Sequence, residues 1–266
     1  MLRLPAVAGR FYPNNPAELT SAVREYAKPQ PLLEPAKACL VPHAGYRYSG
    51  PVAGAVFSRI ALPTKIIILG VRHFPRGESI ATISNGAWRT PVGDAPIDET
   101  LASALHKECP LLREDRVAHS TEHSIEVQLP FLQMLSPGFA FVPIALGAVP
   151  YDDLVAVGEA LARVLAANPE VLLLTTSDLN HYENDATTRV KDKKAIDQIL
   201  AFNPRGLYDL CASENISMCG LGPAVAMLTA LRALHAKQAR LVRYATSADV
   251  SGDTSSVVGY AGLIFS

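Results

Sequence analysis

The sequence has little that would mark a secreted, membrane-bound or nucleic-acid-binding protein. Its four cysteines, Cys39, Cys109, Cys211 and Cys219, are widely spaced and form no CxxC pair, which argues against a disulfide-stapled scaffold and a cysteine zinc module. Reduced thiols and a cytoplasmic location are the expectation. Apolar runs such as Ile66-Ile67-Ile68-Leu69 and Val171-Leu172-Leu173-Leu174 fall far short of the roughly 20 residues that span a bilayer. The start, Met1-Leu2-Arg3-Leu4-Pro5, lacks a basic region followed by a long apolar stretch, so no secretory signal is read there. Neither sign of charge dominates: 24 Lys and Arg against 25 Asp and Glu leave a net charge of −1 at pH 7. The basic residues are scattered, so there is no electrostatic footprint for nucleic acid or an anionic membrane. A small-molecule partner is expected instead.

What is present describes a protein with a large core. The 266 residues are 49% hydrophobic and 18% charged, which fits one α/β domain over residues 1–266. Strands are predicted at Ala38 to Val41, Lys65 to Gly70, Phe139 to Leu146, Val171 to Thr176, Arg240 to Ala245 and Val257 to Ile264. Most are continuous apolar runs, as expected where both faces of a sheet are covered. Helical periodicity fills the intervals at Val52 to Ile60, Glu122 to Leu135, Tyr151 to Ala167, Lys191 to Phe202 and Pro223 to Lys237. Asn15 before Pro16, Asp98 before Glu99 and Asn203 before Pro204 read as helix caps. The expected architecture is a single three-layer domain: a mostly parallel or mixed central sheet with helices on both faces.

In open α/β sheets ligands collect beyond the carboxyl ends of the strands. Here those positions carry Pro42-His43-Ala44-Gly45-Tyr46, Arg72-His73, Ser177-Asp178-Leu179-Asn180-His181 and Ser247-Ala248-Asp249. If the strands are parallel and adjacent, imidazoles and carboxylates converge on one rim, a donor set suited to Fe(II) or Zn(II). Any one of these histidines alone is more simply a structural residue; their shared topological position is what points to a site. The tyrosines of the Gly45-Tyr46-Arg47-Tyr48-Ser49-Gly50 segment offer hydroxyls to a substrate, or aromatic packing in an ordinary βα turn.

A second cluster, His119-Ser120-Thr121-Glu122-His123, contains H-x-x-E-H, the signature of zinc hydrolases in which two helix-borne His bind zinc and the Glu is a general base. His119 falls at the expected helix start, with Ser120 or Thr121 as cap, and no downstream helix supplies a matching carboxylate. Glu122 and His123 then read as an acid/base pair, or as support for ligands at the same pocket. Cys219 precedes the helix expected near Pro223, where a helix N-terminus can depress a thiol pKa; the plain alternative is a buried free cysteine.

Six motifs in order resemble the MEMO family along essentially the whole chain. They are Pro5-Ala6-Val7-Ala8-Gly9-Arg10-Phe11-Tyr12-Pro13, Pro42 to Tyr46 with Ser49-Gly50-Pro51, Glu122 to Glu126 with Leu129-Pro130, Ser177 to Tyr182, Cys219-Gly220, and Ser255-Ser256-Val257. The resemblance implies a fold similar to class III extradiol dioxygenases, whose non-haem iron is held by two His and one acidic ligand. It implies His43 and His73 as imidazole ligands, with Asp178 and His181 in the pocket. Counting back from Ser255 places Asp249 at the third ligand; counting forward from Tyr244 places Val250 there. Only the carboxylate can ligate, which selects Asp249. A hard carboxylate favours Fe(II), with Zn(II) or copper as alternatives.

The implied activity is that of a metal-dependent, dioxygenase-like oxidoreductase, with His181, Asp178, His123 and Glu122 as the catalytic set. The alternatives are a scaffold protein that keeps the pocket without catalysis and the zinc hydrolase built on His119, Glu122 and His123. Prokaryotic members, named AmmeMemoRadiSam system protein B, imply association with a radical SAM protein and an AMMECR1-like protein.

Overall fold

The structure, a computed structural model, describes residues 1–266. The apolar runs become strands whose side chains alternate between two cores. Ile66 and Ile68 point into one core and Ile67 and Leu69 into the other; Leu172 and Leu174 are likewise separated from Leu173. This is why the runs are continuous and not alternating.

In chain order the strands are β1 (Leu2–Arg3), β2 (Ala38–Val41), β3 (Lys65–Val71), β4 (Ile80–Thr82), β5 (Ala87–Thr90), β6 (Gly93–Pro96), β7 (Arg113–Glu114), β8 (Ala140–Leu146), β9 (Leu172–Thr176), β10 (His181–Glu183), β11 (Ala239–Thr246) and β12 (Val257–Phe265). The main sheet runs β10-β12-β2-β9-β3-β8-β4-β7, with β11 also paired to β12. Its centre, β2-β9-β3-β8, is parallel, while β12 is antiparallel to β2 and β4 to β8. The sheet is therefore mixed around a parallel middle. A small sheet, β1-β5-β6, was not legible as strands because its segments are short and partly exposed.

The helices are α1 (Pro16–Tyr26), α2 (Tyr46–Phe57), α3 (Glu99–Glu108), α4 (Val117–Ser120), α5 (Leu129–Leu135), α6 (Tyr151–Ala167), α7 (Asp185–Leu200), α8 (Pro204–Ser213), α9 (Leu221–Ala233) and α10 (Ala248–Ser251). The core containing Leu19, Phe57 and Phe131 lies under α1, α2 and α5; the opposite core is covered by α3 and α6 to α9. The caps are as expected: Asn15 accepts from the Ala17 and Glu18 N–H groups, Asp98 from Leu101 N–H and Asn203 from Gly206 N–H. No helix is long and apolar enough to cross a membrane.

Three segments differ from expectation. The helix expected from Val52 begins at Tyr46, so Tyr46 is buried and its hydroxyl donates to Val127 O. It is part of the core and not of a substrate loop. The helix expected from Lys191 begins at Asp185, capped by Asn184. The Glu122 to Leu135 segment is not one helix: residues 122–125 are non-helical, Glu126–Gln128 form a 3-10 turn, and α5 starts only at Leu129. Its break places Glu122 and His123 at the sheet edge.

Candidate metal centre

Because β2, β9 and β3 are adjacent and parallel, the residues after them emerge side by side. His43 follows β2, His73 follows β3, and Asp178 and His181 follow β9. A cleft of about 490 Å3 at this rim is lined by all four, together with Phe11, His123, Tyr182, Cys219 and Tyr260. His43, His73 and His123 each present a ring nitrogen within 4.8 Å of the others. The His73 and His123 rings stack at 4.6 Å between centroids, and His43 stands edge-on to both.

His123 comes from a loop with no strand of its own, so something must carry that loop to the rim. Ser124 Oγ accepts from Val71 N–H at 3.0 Å and donates to Val71 O at 3.1 Å, clipping the loop to the end of β3. Gly70 makes room: a Cβ there would lie 2.4 Å from the Ile125 side chain and 2.7 Å from Ser124 Oγ. Behind the loop, the buried Glu126 accepts from Arg3 Nη1 at 2.7 Å, Ala6 N–H, Val7 N–H and Tyr12 O–H. Arg3 also donates to His119 O and Glu122 O and lies over Trp88 at 4.0 Å. The N-terminal motif thus braces the His123 loop.

Glu122 orients the His73 ring and anchors the His123 loop. It accepts from His73 N–H at 2.7 Å, sits 2.9 Å from His73 Nδ1, and accepts from the His123 and Ser124 N–H groups at 2.8 Å. The bond to Nδ1 leaves Nε2 of His73 for the cleft, the arrangement that fixes metal-binding imidazoles. Burial pushes the Glu122 pKa up, but the hydrogen bonds to His73 and the Ser124 N–H outweigh it and hold the carboxyl ionised. His43 Nδ1 is 2.8 Å from Thr176 Oγ1, which also accepts from Gln128 Nε2. Burial, helped by the neighbouring His123 and His73, holds the His43 pKa well below its ordinary value; burial takes His123 down to about 4. These rings are neutral at pH 7, as a metal ligand requires.

On the opposite bank Asp178 Oδ1 accepts from His43 N–H at 2.8 Å, and burial raises its carboxyl to about 7. His181 lines the cleft with a buried Nδ1 that has no partner, and burial lowers its pKa. Cys219 Sγ lies 3.2 Å from His43 Nε2 and accepts from Asp178 N–H. Gly220 permits this approach, since a Cβ there would fall 2.3 Å from the Ser177 side chain. Burial raises the thiol pKa, the opposite of the depression expected from a helix N-terminus. Asn180 and Ser217 stitch the two loops of this bank together: Ser217 N–H donates to Asn180 Oδ1, and Ser217 Oγ accepts from His181 N–H.

The structure brings together His43, His73, His123, Glu122, Asp178 and His181, but not Asp249. That residue sits in α10, after β11, which pairs only with β12 at the margin of the sheet. Its carboxylate accepts from Arg189 Nη2 at 2.8 Å and Thr246 N–H at 2.9 Å, and it does not line the cleft. The expectation of an Asp249 ligand is corrected: the third imidazole, His123, occupies the place beside His43 and His73. The zinc-hydrolase geometry also fails. His119 lies on α4, fully buried against Trp88 at 5.5 Å, on a different element from His123. Glu122 is engaged by His73, His123 and Ser124 and not by His119.

These features define an α/β protein with a histidine cleft at the carboxyl edge of its parallel strands. The family model described as Memo-like protein matches residues 3–264, and the chain belongs to the Memo-like family. A MEMO1 family protein of Methanopyrus kandleri is 40% identical over 280 residues, covering 100% of this chain and 99% of its own. Another, from Methanocaldococcus jannaschii, is 39% identical over 283 residues, covering 99% and 98%. A third, from Thermotoga petrophila, is 38% identical over 283 residues, covering 99% of each chain. Among solved structures, an uncharacterized protein from Escherichia coli K12 shares the fold, with a TM-score of 0.56 and 11% identity over 85% of this chain and 98% of its own.

Proposed function

We propose that the cleft is a divalent-metal centre held by His43, His73 and His123, and that the protein is a metal-dependent oxidoreductase acting on a small molecule. The observation that carries this reading is the convergence of three imidazole nitrogens, with His43 and His123 kept neutral and His73 oriented by Glu122. The donor set fits: imidazoles suit iron, zinc and copper, and Cys219 Sγ beside His43 adds a softer donor. With no carboxylate ligand from Asp249, the preference for Fe(II) rests on the implied resemblance to extradiol dioxygenases and not on donor hardness. When bound, such an ion supplies Lewis-acid and redox chemistry at its open positions.

The chain's own residues then divide the remaining work. Phe11 and Tyr260 wall the cleft. Asp178, with a carboxyl near 7, can hold or release a proton at neutral pH. His181, neutral and on the same bank, can accept one. A role with a radical SAM protein and an AMMECR1-like protein belongs to the same proposal, as a shared pathway.

Metal analysis of untagged protein prepared without oxygen, beside His43→Ala, His73→Ala and His123→Ala, tests the centre. Stoichiometric metal in the wild type and its loss in each variant is the expected result; equal metal in all four preparations defeats the reading. Oxygen uptake over a panel of catechols then separates an oxidoreductase from a scaffold. Iron-loaded protein that consumes no oxygen with any of them would remove catechol oxygenation from the proposal.

A further inference from the structure

A second concavity, of about 370 Å3, opens on the far side of the Cys219 loop, and Cys219 lines both it and the histidine cleft. This volume lies within the roughly 300–1,000 Å3 of small-molecule sites. Its walls are mostly apolar, with Val71, Leu146, Val149, Leu154 and Leu221 contributing. Among them stands Arg72, next in sequence to His73. Arg72 Nη1 donates to Gly77 O at 2.9 Å and Nη2 to Ser79 Oγ at 3.2 Å, while Nε is buried against Gly147 without an acceptor, which leaves the Nη groups to meet a ligand. No carboxylate lies within ion-pair distance of this guanidinium.

An arginine remains charged at any physiological pH, and a partly buried cation without a counter-charge is unfavourable. Of the other half-buried arginines, Arg3 is matched by Glu126 and Arg189 by Asp185 and Asp249, whereas Arg59 and Arg116, like Arg72, donate only to neutral oxygens; Arg72 alone of these three stands in a mostly apolar cleft. Arg72 has only neutral acceptors, and the group that would complete it is an anion. A planar guanidinium beside apolar walls suits a carboxylate on a hydrocarbon chain. Gly222, in the first turn of α9, keeps the cleft open, since a Cβ there would meet Leu154 at 3.3 Å.

We propose that this second cleft binds the carboxylate-bearing apolar arm of the substrate, which makes the substrate a chain-bearing carboxylic acid whose reacting end reaches the histidine cleft past Cys219. The placement of the reacting end rests on the metal-centre reading; the carboxylate site does not.

Isothermal titration of the full chain with hexanoate, hexylammonium and hexan-1-ol tests the site without using activity. Wild type is expected to bind hexanoate saturably and at least tenfold more tightly than either analogue. Arg72→Met should abolish that preference, and Gly222→Leu, which fills the cleft and keeps Arg72, should weaken hexanoate at least tenfold. His43→Ala should bind hexanoate as wild type does, so a failed metal centre leaves this result intact. Absence of saturable hexanoate binding, equal binding of hexylammonium, or binding indifferent to Gly222→Leu overturns the proposal. Loss of hexanoate binding in His43→Ala does so too, because the acid would then lie in the histidine cleft.

Discussion

On one bank of the histidine cleft Glu126 is buried against the Arg3 guanidinium, two backbone N–H groups and the Tyr12 hydroxyl, whereas behind the other bank Asp192 is buried with only Asn180 N–H and the Tyr244 hydroxyl. The first carboxylate has a charge partner and the second has none in hydrogen-bonding contact. The same contrast recurs at the rim. Glu122 is kept ionised by His73, while burial raises Asp178 to about 7 and Asp192 to about 6. One bank is a charged frame that holds imidazoles in place. The other stores protons in groups that titrate near neutrality.

The largest test of this contrast is Glu126→Ala, which leaves Arg3 buried without its partner. A loss of about 3–5 kcal/mol is expected in urea denaturation. A loss below about 1 kcal/mol would mean that the frame does not depend on charge.

Asp192 should give the next largest effect, and its sign is fixed. Its folded pKa of about 6 lies above the ordinary 3.8, so its contribution to stability is fully present below about 3.8 and is lost as pH rises through 6. Between pH 4 and 7 the wild type should lose about 2 kcal/mol from this group, and Asp192→Asn should flatten the profile by that amount. Parallel profiles for the two proteins, measured by denaturation across this range, would erase the difference between the banks. Glu122 has the opposite sign: its contribution is present above its ordinary 4.5 and fades toward acid.

A smaller effect is expected from Glu122→Gln, which weakens the orientation of His73 without removing a ligand. Metal affinity should fall by about 10- to 100-fold with the fold retained. Unchanged affinity in competition with a chelator would show that the Glu122 to His73 bond is dispensable. The smallest effect belongs to Asp249→Ala. Its half-exposed ion pair with Arg189 is worth about 1 kcal/mol or less, and metal content should not change. Metal loss in that variant would restore a carboxylate ligand and remove His123 from the centre.

Much of this protein is legible in local pattern. The runs at β2, β3, β8 and β9 announce strands buried on both faces because each side chain, odd or even, meets a helix layer. Asn15, Asp98 and Asn203 announce helix starts because a short polar side chain reaches its own N–H groups two or three residues on. His43, His73, Asp178 and His181 are legible as neighbours in one cleft because strand ends in a parallel sheet share one rim.

Position relative to distant chain is what local pattern does not carry. His123 and His119 are four residues apart and read as partners on a helix; the break at residues 122–125 sends one to the rim and the other beneath Trp88. Asp249 follows a strand end as His43 does, but β11 lies beyond β12, and Arg189 claims its carboxylate. Cys219 reads as a thiol at a helix start, yet it meets His43 because Gly220 lets its loop press against the end of β9. The sequence by itself therefore determined the long buried strands, the helix caps and which residues follow the strand ends, all of which depend on neighbours a few residues away. Strand order and close loop approach, which join residues distant in the chain, decided which of those side chains share a site.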